Sequence, residues 1–163
     1  MKEAIQTLIT SDKMAHAFEY LKQDEAHTID QQIELVQISS FSPFEEKRAI
    51  RFKELLTEAG LDPVMDEVHN VYAHIHGTGN GPTLYVSAHL DTVFPPETPL
   101  PVKREGTKIY AAGIGDDTRG LAEILTLARA IKESGLKPVG DIIIGGNVGE
   151  EGLGDLRGMR HFF

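Results

Sequence analysis

Histidine and carboxylate side chains recur in three short segments, at spacings that suit metal binding or acid–base chemistry. In the first segment, His89 and Asp91 lie two residues apart at the end of an apolar run, so in a strand their side chains share one face. An imidazole at this position could bind a metal while the neighbouring carboxylate fixes its orientation. Taken alone, such a pair is more often structural, with the two side chains satisfying each other or capping a loop.

The second segment, residues 113–120, is a glycine-flanked acidic loop at the start of a predicted helix. Asp116 or Asp117 could simply cap that helix, because a carboxylate is favoured at a helix N-terminus. A phosphate-binding loop is disfavoured, since two carboxylates at its mouth would repel an anion and the glycine spacing does not match the dinucleotide-binding pattern.

Glu150 and Glu151 form the third segment, between two glycines and directly after a long apolar run. Adjacent acids in a loop are mostly solvated charges, but these follow a strand end, where open α/β sheets place their ligand sites. His89, Asp117 and the two glutamates all lie at ends of elements that one parallel sheet would bring to a common edge. This convergence favours a functional site.

Strand and helix patterns alternate around these segments and predict an α/β domain. The first segment ends a predicted strand at 83–89, the second precedes a helix at 118–134, and the third follows a buried strand at 141–148. Residues 71–75 alternate apolar and polar side chains and are followed by a Gly/Pro turn. The simplest interpretation pairs this strand directly with 83–89.

The remaining segments are predicted to be helical or irregular. Residues 1–39 lack Gly and Pro and form two or three helices, the second over about 29–38. A capping box at 42–45, with proline at the first helical position, starts a further helix that Gly60 ends. Four prolines make 93–101 an irregular loop.

The composition narrows the classes of protein and of metal site. The 163 residues include 16 Lys+Arg and 25 Asp+Glu, a net charge of −9, and no cysteine. The length suits one domain, and the acidic balance argues against binding to nucleic acid or anionic lipid. Without cysteine a metal would be bound by histidine and carboxylate. No apolar run reaches the roughly 18 residues of a membrane span, and a cytoplasmic protein without membrane partners is expected.

Residues 87–95, 115–120 and 149–154 resemble, in order and spacing, the motifs of the co-catalytic dinuclear zinc metallopeptidases and deacylases. That family includes peptidase T, glutamate carboxypeptidase, acetylornithine deacetylase and aminoacylase. The resemblance implies a three-layer α/β fold, with a mixed, mostly parallel sheet flanked by helices. It also implies that residues 29–163 are the N-terminal portion of a catalytic domain, after a helical extension over residues 1–28.

The resemblance implies a role for each candidate residue. His89 would bind the first metal, and Asp91 would orient His89. Asp117 would bridge both metals, Glu151 would bind the second metal, and Glu150 would be the general base. The cofactor would be two zinc ions per complete site, with Co²⁺ or Mn²⁺ as substitutes. A non-proline cis peptide bond is expected directly after Asp117.

The implied activity is hydrolysis of amide bonds in small peptides or N-acyl amino acids. The Gly-Asp-Asp-Thr-Arg-Gly loop favours a peptidase T-like exopeptidase. In the family, two further metal ligands and a lid domain with dimer contacts come from segments that would follow Phe163. We therefore expect residues 1–163 alone to bind zinc weakly or not at all, and a homodimer only where the lid is present. The alternative is a non-catalytic α/β module that binds a metal or a partner.

Overall fold

The computed structural model describes residues 2–163, in which four helices are followed by five strands and then by a helix, a strand and a last helix. In chain order the elements are α1 (Lys2–Ile9), α2 (Asp12–Gln23), α3 (Glu25–Val36), α4 (Glu46–Glu58), β1 (Val64–Met65), β2 (Val71–Ile75), β3 (Leu84–His89), β4 (Lys103–Glu105), β5 (Lys108–Tyr110), α5 (Thr118–Glu133), β6 (Ile142–Asn147) and α6 (Arg157–Phe162). Strands β4 and β5 form a hairpin, and the other strands form a mixed sheet in the order β1-β2-β6-β3. The predicted α/β fold, a mixed sheet flanked by helices, is confirmed. Within the described range, no helix is long and apolar enough to cross a membrane.

Strand β6 lies at the centre of the sheet. It pairs with β3 in parallel, from Leu84 opposite Ile142 to His89 opposite Asn147, and with β2 in the antiparallel direction. Its residues from Ile144 onward are buried, as expected of a continuous apolar strand between two neighbours. The connection from β3 to β6 contains the β4–β5 hairpin and helix α5, and because the two strands are parallel their carboxyl ends lie at the same edge.

The predicted direct pairing of β2 with β3 is wrong, because β6 lies between them. The Gly/Pro turn after β2 does not close a hairpin. Instead, the amide of Thr78 donates to the carbonyl of Pro138 at 2.9 Å, just before β6. A Cβ on Gly140 would lie 2.0 Å from the carbonyl oxygen of Pro82, so glycine permits this close approach. The apolar β6 is buried between two strands here, which a hairpin of β2 and β3 would prevent.

Helices α4 and α5 bury the apolar stripes that the sequence predicts. The core side chains they share with the sheet are Ala49, Phe52, Leu55 and Leu56 on α4 and Leu121, Ile124, Leu125 and Ala128 on α5. Gly60, with φ of 84°, follows the end of α4 as predicted. The predicted start of α4 is wrong: the helix begins at Glu46, and the capping-box side chains of Ser42 and Glu45 both accept hydrogen bonds from Arg157 instead.

A buried polar cluster connects α2 and α3 to α5. Asp24, between α2 and α3, accepts hydrogen bonds from Thr126 at 2.7 Å and from Arg129 at 3.0 Å. Helix α3 spans Glu25–Val36, a few residues before the predicted range. The predicted boundary between residues 28 and 29 therefore lies inside a helix that packs on α5.

Candidate metal centre

The carboxyl ends of β3 and β6 and the start of α5 meet at one edge of the sheet. His89 is the last residue of β3 and lies opposite the last residue of β6. The loop that carries Glu150 and Glu151 follows β6, and the acidic loop before α5 reaches His89 through Asp116 and Asp117. This edge brings together residues from all three segments that the sequence singles out.

His89, Asp116 and Glu151 form a cluster suited to a metal ion. One donor atom from each side chain lies within 4.8 Å of the other two, and Nε2 of His89 is 2.8 Å from Oδ1 of Asp116. Imidazole nitrogen and carboxylate oxygen are the donors that zinc and related divalent cations bind where cysteine is absent. The residues present therefore fit the divalent metal that the resemblance implies.

Asp116 occupies the position that was expected for Asp117. Asp117 instead caps α5, because its Oδ1 accepts the amide of Gly120 at 3.1 Å and its Oδ2 accepts the amide of His89 at 3.2 Å. The cis peptide bond joins Asp116 to Asp117, one bond before the expected position. Two adjacent aspartates at a helix start are equivalent in sequence, and only the folded loop shows which one turns toward His89.

The Asp91 side chain holds the glutamate loop. It is fully buried, and its two oxygens accept the amides of Glu150 at 3.0 Å and Glu151 at 2.8 Å. Burial raises the pKa of this carboxyl, but the contact with His89 and the two amide donors outweigh it and hold the pKa below its ordinary value. Asp91 is therefore ionised and accepts at both oxygens.

The ring of His89 presents Nε2 to the cluster. Its Nδ1 lies 3.0 Å from the backbone oxygen of Asp91 and 3.7 Å from the Oδ1 of the same residue. Because a carbonyl oxygen can only accept, Nδ1 carries a proton and donates it, which leaves Nε2 for a metal. Asp91 was expected to orient His89. Of the two contacts that Asp91 makes with Nδ1 of His89, the one from its backbone oxygen is shorter than the one from its carboxylate.

Negative charge is in excess at this centre. Burial lowers the pKa of His89, but Asp91 and Asp116 outweigh it and raise the pKa to about 9. Burial also raises the pKa of Glu151, and the charge of Asp116 adds to that effect. These shifts are typical of crowded carboxylates, whose repulsion a divalent cation would relieve.

Glu150 lies beside the cluster without belonging to it. Its Oε2 is 4.0 Å from Nε2 of His89, and its side chain is 46% exposed. Its backbone amide is fixed by Asp91. A carboxylate in this position can accept a proton from a water molecule at the centre.

Two residues that position the site, Arg48 and Asn70, could not be predicted from the sequence. Arg48 on α4 is 1% exposed and donates to the backbone oxygen of Leu90 at 2.8 Å. Burial lowers the pKa of Arg48 to about 10, although the charge of Asp91 opposes the shift. Asn70 accepts the amide of Val148 at 3.1 Å, just before the glutamate loop. Both contacts join residues far apart in the chain, so no local motif could reveal them.

Parts of known proteins are similar to this chain in sequence and in fold. The profile of Peptidase family M20/M25/M40 matches residues 85–163. The uncharacterized protein YqjE of Bacillus subtilis strain 168 is 30% identical over 128 residues, which are 70% of this chain and 34% of that protein. Carboxypeptidase G2 of Pseudomonas sp. strain RS-16 is 37% identical over 84 residues, 50% of this chain and 20% of that protein. The crystal structure of aminopeptidase PepT from Bacillus cereus ATCC 10987 matches with a TM-score of 0.64 at 26% identity, over 76% of this chain and 36% of that chain.

The chain thus spans about a third or less of the length of these relatives. The matched range begins within β3 and contains the three segments from which the candidate metal centre is built. The resemblance of the three motifs is confirmed by this match of residues 85–163 to the profile of Peptidase family M20/M25/M40.

Proposed function

We propose that the protein containing this chain is a metal-dependent hydrolase of amide bonds in small peptides or N-acyl amino acids. The observation that carries the proposal is the cluster of His89, Asp116 and Glu151, with Glu150 beside it, at a sheet edge. A peptidase T-like exopeptidase is the favoured type, because of the Gly-Asp-Asp-Thr-Arg-Gly loop and the similarity to PepT.

Each residue has a role in this proposal. Nε2 of His89 and the carboxylates of Asp116 and Glu151 would hold the metal, with Asp116 shared between two zinc, cobalt or manganese ions. When bound, such ions lower the pKa of water and polarise the carbonyl of the scissile bond. Glu150 accepts a proton from the attacking water and passes it to the leaving amine. Asp91 keeps Glu150 and Glu151 in place through their amides.

Metal removal tests the proposal. We expect the purified protein, supplied with Zn²⁺ or Co²⁺, to hydrolyse members of a panel of tripeptides and N-acyl amino acids. Turnover should stop on addition of EDTA and return when Zn²⁺ is restored in excess. Chromatography of the products shows whether the first or the last residue is released. Folded protein that binds Zn²⁺ and hydrolyses nothing would contradict the proposal and favour a non-catalytic module.

Alanine at Asp116 and at Asp117 should separate the metal ligand from the helix cap. We expect Asp116→Ala to weaken Zn²⁺ binding at least about tenfold. Its side chain is 74% exposed, so stability should change little. Asp117→Ala should lower the free energy of unfolding by about 1–2 kcal/mol, because α5 loses its cap, and should weaken Zn²⁺ binding less than Asp116→Ala does, since it removes only an acceptor of the His89 backbone amide. Calorimetric titration and urea unfolding measure both effects, and the reverse pattern would return the ligand role to Asp117.

A further inference from the structure

A cavity of about 460 Å³ adjoins the candidate metal centre. Glu151 forms part of its wall, so the cavity opens directly beside one of the three clustered donors. A volume of this size suits part of a small ligand. We call this cavity the side pocket and define it by six of its lining residues: Phe41, Pro43, Val93, Glu151, Leu153 and Arg157.

The walls of the side pocket are mainly apolar. Phe41, Pro43, Val93 and Leu153 contribute hydrocarbon surface. Val93 is 50% exposed and Leu153 is fully exposed, although both are large apolar side chains. Apolar side chains that stay in solvent beside a cluster of charged donors are typical of a ligand-binding surface.

The one cation in the wall is already paired. Arg157 donates to Ser42 Oγ at 3.0 Å and to the carboxylate of Glu45, which is fully buried. Its positive charge is therefore neutralised within the fold and does not call for an anionic ligand. The remaining charge in the wall belongs to Glu151, which the metal centre uses. The pocket thus offers no net charge to a ligand side chain.

A smaller cavity, of about 320 Å³, also adjoins the centre and shares Val93 and Glu151 with the side pocket. Its lining also includes Asp116, two glycines (Gly113 and Gly115) and the apolar Phe94, Ala111 and Ile114. Two cavities with a common wall at the donor cluster fit a substrate whose reacting bond lies at the centre, with one residue in each cavity.

We propose that the side pocket binds the uncharged apolar side chain of the substrate residue that flanks the scissile bond. The inference rests on the proposed function and adds a substrate class to it: peptides with leucine, methionine or phenylalanine at that position, in preference to glycine or to a charged residue. Selection comes from burial of hydrocarbon against Val93 and Leu153, since one or more methylene groups in an apolar pocket discriminate by about 10- to 200-fold.

Binding is tested without turnover, using N-acetyl-leucinamide as the probe and N-acetyl-glycinamide as its comparison. In ¹⁵N–¹H NMR titrations of the protein, the leucine probe should shift the amide signals of Val93, Gly152 and Leu153, and the glycine probe should bind about tenfold more weakly or worse. Equal affinity for the two probes, or shifts confined to other surfaces, would overturn the proposal.

Leu153→Asp places a charge in the pocket wall at a fully exposed position, so the fold should tolerate it. We expect it to weaken binding of the leucine probe at least about tenfold. It should lower the ratio of kcat/KM for leucine- over glycine-containing tripeptides by a similar factor. Leu8→Asp, the same exchange on the 56% exposed Leu8 of α1, should change neither quantity.

The two proposals fail in different ways. A protein that hydrolyses no peptide but shows the leucine-specific shifts contradicts the proposed function and supports the side pocket. A protein that hydrolyses leucine- and glycine-containing peptides equally well supports the hydrolase and overturns the side pocket. In that case Leu153→Asp should change neither the hydrolysis of the two peptides nor the binding of the leucine probe.

Discussion

Glu150→Gln should lower kcat about a thousandfold and leave Zn²⁺ affinity unchanged, because glutamine keeps the shape of the side chain but cannot accept the proton of the attacking water. The exchange should not disturb the fold. The carboxylate is 46% exposed, and its contact with Nε2 of His89 is long, at 4.0 Å. Since proton transfer belongs to the transition state, kcat and kcat/KM should fall together while KM stays nearly constant.

Steady-state kinetics on the preferred tripeptide, with a calorimetric Zn²⁺ titration of each variant, measure this effect. Glu3→Gln makes the same exchange at an exposed position of α1 and should keep the wild-type kcat. If Glu150→Gln retained more than about a tenth of the wild-type kcat, Glu150 would not be the general base.

Asp91→Asn should disorder the glutamate loop. Asparagine offers one acceptor oxygen where the amides of Glu150 and Glu151 need two, and its NH₂ group would face an amide donor. An unpaired buried donor costs about 1–3 kcal/mol. Because the proposed metal ligand Glu151 and the proposed general base Glu150 both depend on this carboxylate, Zn²⁺ affinity and kcat should each fall by about 10- to 100-fold.

Hydrogen exchange reports the ordering of this loop whether or not the protein turns over substrate. In Asp91→Asn, the amides of Glu150 and Glu151 should exchange at least about tenfold faster. Asp141→Asn is the matched control, because Oδ1 of Asp141 accepts the amide of Gly77 at 2.7 Å near the opposite end of β6. In Asp141→Asn, only the amide of Gly77 should exchange faster. Unchanged protection of both glutamate amides in Asp91→Asn would mean that other contacts order the loop.

Local periodicity made much of the fold predictable. The stripe of Leu121, Leu125 and Ala128 is spaced for one helix face, and all three are buried on α5. The apolar run that became β6 predicted a strand covered on both sides, and β6 is central. The same logic located the site, because strand ends and a helix start in an α/β sheet converge on one edge.

Contacts between distant segments set the limits of prediction. The residues at 42–45 fit the capping-box pattern. However, the side chains of Ser42 and Glu45 accept hydrogen bonds from Arg157, more than a hundred residues away in the chain. Asp116 and Asp117 both stand before α5, and the folded loop places only Asp116 in the cluster with His89 and Glu151. Arg48 contacts the site through the backbone oxygen of Leu90, and a contact to a backbone oxygen cannot be predicted from residue types.

The central position of β6 also has a consequence for synthesis of the chain. Strands β2 and β3 are made first, and the strand that separates them ends only at Asn147. Until then, each has an edge of unpaired amides and carbonyls facing the growing chain, and a hairpin between the two is the pairing closest in sequence. The sheet can be completed only if that hairpin does not form or opens again. The hairpin that the local sequence favours therefore competes with the native pairing, and it must be avoided or undone before the candidate metal centre can assemble.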